Sequence, residues 1–236
     1  MIVYGRNAVR EALCGRRANS LAGVWASANV AGAPWLDGLC VSMAQAQELT
    51  RLCGSPEHQG ICAEVGPYPY VGEDELLDGH EPLLLALDQV QDPQNLGALC
   101  RTAECGGVAG VVVVERRAAQ VTPAVCKASA GAVEHLPIAR VRNLADFLTR
   151  AKRRGCWCYG ASAGAPTAYD RPDYRGGAVL VLGGEGSGLR PRVAESCDAL
   201  VALPVRGAVE SLNVSAAGAI LLYEILQRRS ELDSAP

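Results

Sequence analysis

The sequence predicts an α/β protein: a larger C-terminal part built on a parallel sheet, preceded by a small module that reads as helix, strand, helix, strand. Three observations carry this. From Pro82 onward, short β-rich apolar runs alternate with helical segments, the order that a parallel sheet requires. Three blocks marked by glycine and asparagine each follow such a run, which places them at the carboxyl ends of strands, where open α/β sheets build their sites. A stretch rich in proline, glycine and acid, running from Gly66 to Glu75, separates the two parts. The expected division is 1–70 for the first module, 71–81 for a linker and 82–236 for the second domain.

In the first module, residues 7–14 are amphipathic and stop at Gly15, as a helix should. Residues 21–26 and 60–65 read as strands, and Ser42 to Gln45 has the form of a capping box before a helix over 44–53. In the second domain, strands are expected at 83–87, 110–114, 138–141, 156–161, 178–182 and 199–203. Helices are expected from Gln94, near Thr122 and from Asn143. The last helix, over 213–229, is apolar on much of its circumference, and Ala216, Ala217, Gly218 and Ala219 allow close approach. Such a helix needs a second surface to cover it.

With 236 residues, the chain buries enough surface for one or two ordinary domains without disulfide support. Its ten cysteines are scattered through apolar patterns and read as small hydrophobes of a reducing cytosol. Cys156 and Cys158 share one strand face, but no second pair or nearby histidine makes them a metal site. The first residues lack a secretory leader's pattern and no run of about 18 apolar residues occurs, so a soluble cytoplasmic protein with no membrane partner is expected. The net charge of −3 argues against indiscriminate nucleic-acid binding.

The blocks themselves are Asn95-Leu-Gly97-Ala-Leu-Cys-Arg101, Gly183-Gly184-Glu185-Gly186-Ser-Gly188 and Glu210-Ser211-Leu212-Asn213-Val-Ser215. Gly183 to Gly188 lacks the spacing of a dinucleotide fingerprint, and Glu185 would set a negative charge beside phosphates. Arg101 falls one turn after Gly97 and is expected to point back to the loop that Asn95 begins. The competing structural reading pairs Arg101 with Glu104 and leaves Asn95 as a helix cap. Ser211 and Asn213 bracket Leu212 at the start of the last helix, where both capping and substrate orientation are open to them. His135, beside Glu134, reads as structural or RNA-facing, and neither it nor His58 has metal-ligand spacing.

In order and spacing these blocks resemble the three motifs of the SpoU (TrmH) family of RNA ribose 2′-O-methyltransferases, within the knotted SPOUT superfamily. The resemblance extends to residues 83–95, to Ser129 through His135, and to two N-terminal segments, Tyr4 to Leu13 and His58 to Ala63. These last look like the auxiliary, ribosomal-protein-like α/β/α RNA-binding domain of the family's ribosomal RNA branch. The resemblance implies a deep trefoil knot, a homodimer and S-adenosylmethionine as cofactor. It assigns catalytic roles to Asn95, Arg101, Glu185, Ser211 and Asn213, and cofactor contacts to Gly183, Gly184, Leu203, Val205 and Leu212. The implied substrate is a guanosine in the peptidyl-transferase region of 23S ribosomal RNA, free or in a large-subunit assembly intermediate. The alternatives are a transfer-RNA ribose methyltransferase and a non-catalytic assembly factor.

A guanidinium stays protonated at ordinary pH, so Arg101 suits a bidentate phosphate clamp better than a base. Two basic stretches could grip RNA: Arg6, Arg10, Arg16 and Arg17, and the group Arg140, Arg142, Arg150, Lys152, Arg153 and Arg154.

Overall fold

The computed structural model describes residues 1–233, with side chains as far as Arg229. The first module holds β1 (Ile2–Tyr4), α1 (Arg6–Cys14), β2 (Gly23–Ala26), α2 (Ala28–Ala31), β3 (Val41–Met43), α3 (Ala46–Cys53) and β4 (Ile61–Glu64). Its sheet runs β1-β4-β2-β3, with β2 and β3 parallel and the other pairs antiparallel. The sequence reading missed β1 and β3, each only three residues long. The expected capping box does not form. Ser42 lies in β3, opposite Trp25, and the helix starts later, with Gln45 at its N-cap making no side-chain bond.

The acidic stretch after the first module lies against the second domain. Val71 bridges to Ala139, and α4 (Glu73–Leu77) buries Leu76 and Leu77 beneath the large sheet. That sheet is built from β5 (Leu83–Asp88), β6 (Gly110–Val114), β7 (Ile138–Val141), β8 (Trp157–Ala161), β9 (Thr167–Ala168), β10 (Ala178–Gly183) and β11 (Ala199–Ala202). All its pairs are parallel, in the order β7-β6-β5-β10-β8-β11-β9. Around it lie α5 (Pro93–Cys105), α6 (Pro123–Ala128), α7 (Leu144–Arg153), α8 (Pro191–Ser196) and α9 (Val214–Asp233). The short β9 and α8 carried no sequence signal.

Strands β5 and β6 are buried along their whole length because helices cover both faces, which is why they read as unbroken apolar runs. On one face α5 contributes Leu96, Leu99, Cys100 and Ala103, and on the other α7 contributes Leu144, Phe147, Leu148 and Ala151. Gly218 lets α9 press onto this core: a Cβ there would stand 2.4 Å from a Leu99 methyl and 2.7 Å from a Leu182 methyl. Cys62, Cys100, Cys126, Cys156 and Cys158 are buried, and burial pushes the Cys100 thiol up to about 12.

Arg17, grouped with the RNA-gripping arginines on sequence, is instead buried at 2% exposure between the two domains. Its Nε donates to Glu134 Oε2 at 2.9 Å, its Nη2 donates to Glu134 Oε1, and its Nη1 donates to the Gly66 carbonyl at 3.2 Å. Glu134 is itself fully buried, so each ion is the other's replacement for water. The backbone reinforces the seam through Arg16 N to Glu134 O at 2.8 Å, and His135 meets Glu11 at 2.8 Å across it. Removing one member leaves a buried, uncompensated charge. Glu134→Ala should therefore cost about 3–5 kcal/mol of unfolding free energy in a urea titration, whereas the paired replacement Arg17→Met with Glu134→Leu should recover most of that loss.

Candidate active site

The parallel sheet delivers the three sequence blocks to one edge. Asp88 and Gly183 are register partners at the ends of β5 and β10, so the loops that follow them leave the sheet side by side. Asp92 caps α5, its Oδ1 accepting from Gln94 N at 2.9 Å, with Pro93 in the first turn. Asn95 is therefore not the cap, and its buried side chain is free for other work. Its amide nitrogen donates to Glu185 in the glycine-rich loop, and its Oδ1 accepts from Asn213 Nδ2 at 3.0 Å. One side chain thus links all three blocks. Asn213 is held in turn because its Oδ1 accepts from Ser215 N at 2.9 Å and Ser215 Oγ at 2.6 Å, capping α9.

The glycine-rich loop is tied down at both ends. A Cβ on Gly183 would stand 2.1 Å from the Gly188 carbonyl carbon, and one on Gly184 would stand 2.6 Å from the Gln89 oxygen. Close approach, not positive φ, is the demand at these two positions; positive φ occurs at Gly186 (75°) and Gly188 (63°). At the exit, the buried Asp88 carboxylate accepts from Arg190 N at 2.9 Å, Nε at 2.7 Å and Nη2 at 2.6 Å.

Between this loop, the segment 203–213 and the first turns of α9 lies a cleft of about 590 Å³, a size suited to a cofactor. Gly183, Gly184, Leu203, Val205 and Leu212 all line it, as do Glu185, Ser211 and Asn213. Sequence reasoning missed a fourth wall, Ser162-Ala163-Gly164 after β8; the strand end followed by Gly164 and Pro166 was the available signal. The charged residues on the lining are Glu185 and Glu210, with no lysine or arginine among them. Such walls repel a polyphosphate and accommodate a cationic, uncharged or zwitterionic guest held by main-chain groups.

Arg101 is not on this lining. It lies on the solvent-facing stripe of α5 with Gln94 and Cys105, while the Gly97 position meets Ala128 of α6, where a Cβ would stand 2.4 Å from the alanine methyl. The alternative pair with Glu104 does not form, and Arg101 makes no hydrogen bond or ion pair among the described residues. His58 is buried, its Nδ1 accepting from Gly60 N at 3.0 Å, so it serves a turn. In the basic group around α7, Arg150, Lys152 and Arg154 pair with Glu73, Asp198 and Asp78, and Arg140 stacks on Tyr70 at 4.3 Å. The contact at Gly183 yields a direct test. Gly183→Ala should lower stability by about 1–3 kcal/mol, measured by denaturant titration, because the backbone of Gly188 cannot yield as a side chain would.

Comparison with known proteins identifies the family to which this fold belongs. Residues 82–223 match the model of the SpoU rRNA methylase family, and residues 2–71 match that of the RNA 2′-O ribose methyltransferase substrate-binding domain. An uncharacterized tRNA/rRNA methyltransferase of Synechocystis is 38% identical over 97% of this chain, which spans 62% of that relative's length. The 23S rRNA (guanosine-2′-O-)-methyltransferase RlmB of Pseudomonas syringae is 45% identical, with 73% of this chain and 71% of that protein aligned. Among solved structures, the AdoMet-bound rRNA methyltransferase of Sinorhizobium meliloti superposes with a TM-score of 0.76 at 26% identity, covering 96% of this chain and 86% of that one. By its motifs, its sheet and these matches, the chain belongs to the SpoU rRNA methylase family.

Proposed function

We propose that the protein methylates a ribose 2′-hydroxyl of 23S ribosomal RNA, most specifically a guanosine of the peptidyl-transferase region, with S-adenosylmethionine as donor. The Asn213–Asn95–Glu185 link, set beside a cleft walled by main chain and acid, carries this reading. The cleft fits the donor: its two carboxylates suit a sulfonium, and Gly183, Gly184, Leu203, Val205 and Leu212 offer the backbone and apolar surface that an adenosine needs. When bound, the donor would supply an electrophilic methyl group to the ribose oxygen, with the carbon–sulfur bond breaking to leave a thioether and the hydroxyl proton passing to solvent.

The chain's own residues position that oxygen. Asn95 and Asn213, fixed by each other and by Glu185, orient the sugar at the cleft mouth, and Ser211 lies beside them on the rim. Much of the barrier reduction comes from this alignment. The first module, which matches the substrate-binding family, docks the RNA. The chain's 45% identity to the 23S rRNA (guanosine-2′-O-)-methyltransferase of Pseudomonas syringae supports ribosomal over transfer RNA as substrate.

Arg101 completes the site in a homodimer. It projects from a face that also exposes Cys105, and beside it α9 exposes Ile220 (44%) and Tyr223 (54%), an apolar surface that a second copy would cover. Across such an interface, Arg101 reaches the partner's cleft and clamps the phosphate next to the target ribose. The tail of the domain threads as the family's trefoil knot, and the protein works in the cytoplasm; no helix of the described residues is long and apolar enough to cross a membrane.

Arg101→Ala should reduce methyl transfer to a 23S transcript by at least about 10²-fold. Cofactor affinity, read by isothermal titration calorimetry, should stay within a few-fold. Loss of both together would mark Arg101 as structural. Dilution below the dimer dissociation constant should stop turnover, and a monomer that remained active would refute the shared site.

A further inference from the structure

The rim of the large sheet next to the cleft carries cations that the site described above does not use. The loop after β6 exposes Arg116 and Arg117, and Arg142 follows β7 on the neighbouring strand. Because all these strands are parallel, both loops leave the sheet at the same edge as Asn95 and the glycine-rich loop. Arg142 sits 3.7 Å from Glu115, so this pair is neutral, whereas Arg116 and Arg117 make no ion pair or hydrogen bond among the described residues. Two positive charges therefore stand free at the rim.

The loop that presents them is built. Gln120 donates through Nε2 to the Val114 carbonyl at 3.0 Å and to the Ala118 carbonyl at 3.4 Å, closing the turn over its own base. The Tyr70 hydroxyl accepts from Val121 N at 2.8 Å. Ala119 N donates to Val90 O at 2.9 Å, which ties the loop to the segment that opens the Asn95 helix. Arg117 takes a left-handed φ of 57°, uncommon for a residue with a side chain, within this fixed frame.

Strand order places β6 next to β5, and β5 next to β10. From β10 to β7 the rim therefore spans three strand spacings, about 14 Å. That is the reach of a few nucleotides running from the cleft mouth across the motif loops.

We propose that Arg116 and Arg117 form a phosphate track for the RNA strand flanking the target ribose, so that the substrate leaves the cleft over β5 and β6 toward β7. The inference rests on the ribose methyltransferase reading above. Guanidinium groups on a short, braced loop read backbone phosphates, which set position without regard to sequence. The contribution is electrostatic and releases counterions, so it is visible in the salt dependence of binding.

The test is the double variant Arg116→Ala/Arg117→Ala in the full chain, with a transcript of the peptidyl-transferase region of 23S rRNA as probe. RNA affinity should fall by about tenfold, and the slope of log affinity against log salt should shrink by about 1.5. The affinity for S-adenosylmethionine should stay within twofold, and KM for RNA should rise more than kcat falls. Arg116→Lys/Arg117→Lys should restore most of the binding, since it keeps both charges. A wild-type enzyme that binds and methylates the transcript, beside an alanine variant with unchanged affinity and slope, would overturn the track alone. A wild-type protein that neither binds nor methylates the transcript would overturn the track and the functional reading together. An equal loss of cofactor affinity in the alanine variant would also overturn the track, by showing that the loop supports the cleft.

Discussion

The site depends on one buried amide. Asn95 has a donor and an acceptor to satisfy at the mouth of the cleft, and it satisfies them with two segments distant in sequence, Glu185 and Asn213. A buried polar group left unpaired costs more than a hydrogen bond gains, so any departure of the three loops from this geometry incurs that cost. Asp92 makes it possible by taking over the helix cap, and Ser215 steadies the far end by donating to Asn213. Three loops that could drift separately are thereby held at one mutual spacing, which the proposed in-line transfer would use.

A second constraint sits outside the cleft. Arg17 and Glu134 are withdrawn from solvent at the seam between the two domains, and among the described residues neither makes another salt bridge. The pair joins the first module to the turn after α6, the helix against which α5 packs at Gly97. The orientation of the module is thus coupled by packing to the helix that carries Asn95. In the proposed function, an RNA held by one domain would meet the rim of the other at the angle that this seam fixes.

What the sequence disclosed follows from which forces act locally. The central strands of the large sheet were legible because burial on both faces leaves an apolar run that no surface helix shares, and β5, β6 and β10 lie where those runs are. The three blocks were legible because each follows an apolar run and because their order and spacing resemble the motifs of one family, although any one of them could be an ordinary turn. β1 and β3 were hidden, since three-residue strands are stabilised by their partners, and Ser42 imitated a cap because cap chemistry is short and common. Arg17 misled for a different reason. An arginine near other arginines looks like a solvent-facing cluster, and the carboxylate that draws it inside lies 117 residues away. The position of Arg101, outside the cleft of its own chain, was likewise invisible, because helical phase shows which face a residue occupies and not what lies opposite that face.

Charge explains how an acidic protein can handle RNA. The cleft walls carry Glu185 and Glu210, while most basic residues around α7 are consumed by Glu73, Asp78 and Asp198 or by stacking on Tyr70. Structural pairing removes those cations from any outside partner, so the net charge of −3 understates how few positions can attract a phosphate and overstates how repellent the rim is. Exposed cations flank the cleft on two sides, Arg116 and Arg117 after β6 and Arg206 beside Val205, while the charged groups on its lining are acidic. A polyanion is thereby disfavoured within the cleft and a cationic guest favoured there, and in the proposed reaction the two meet at the boundary where Asn95 stands.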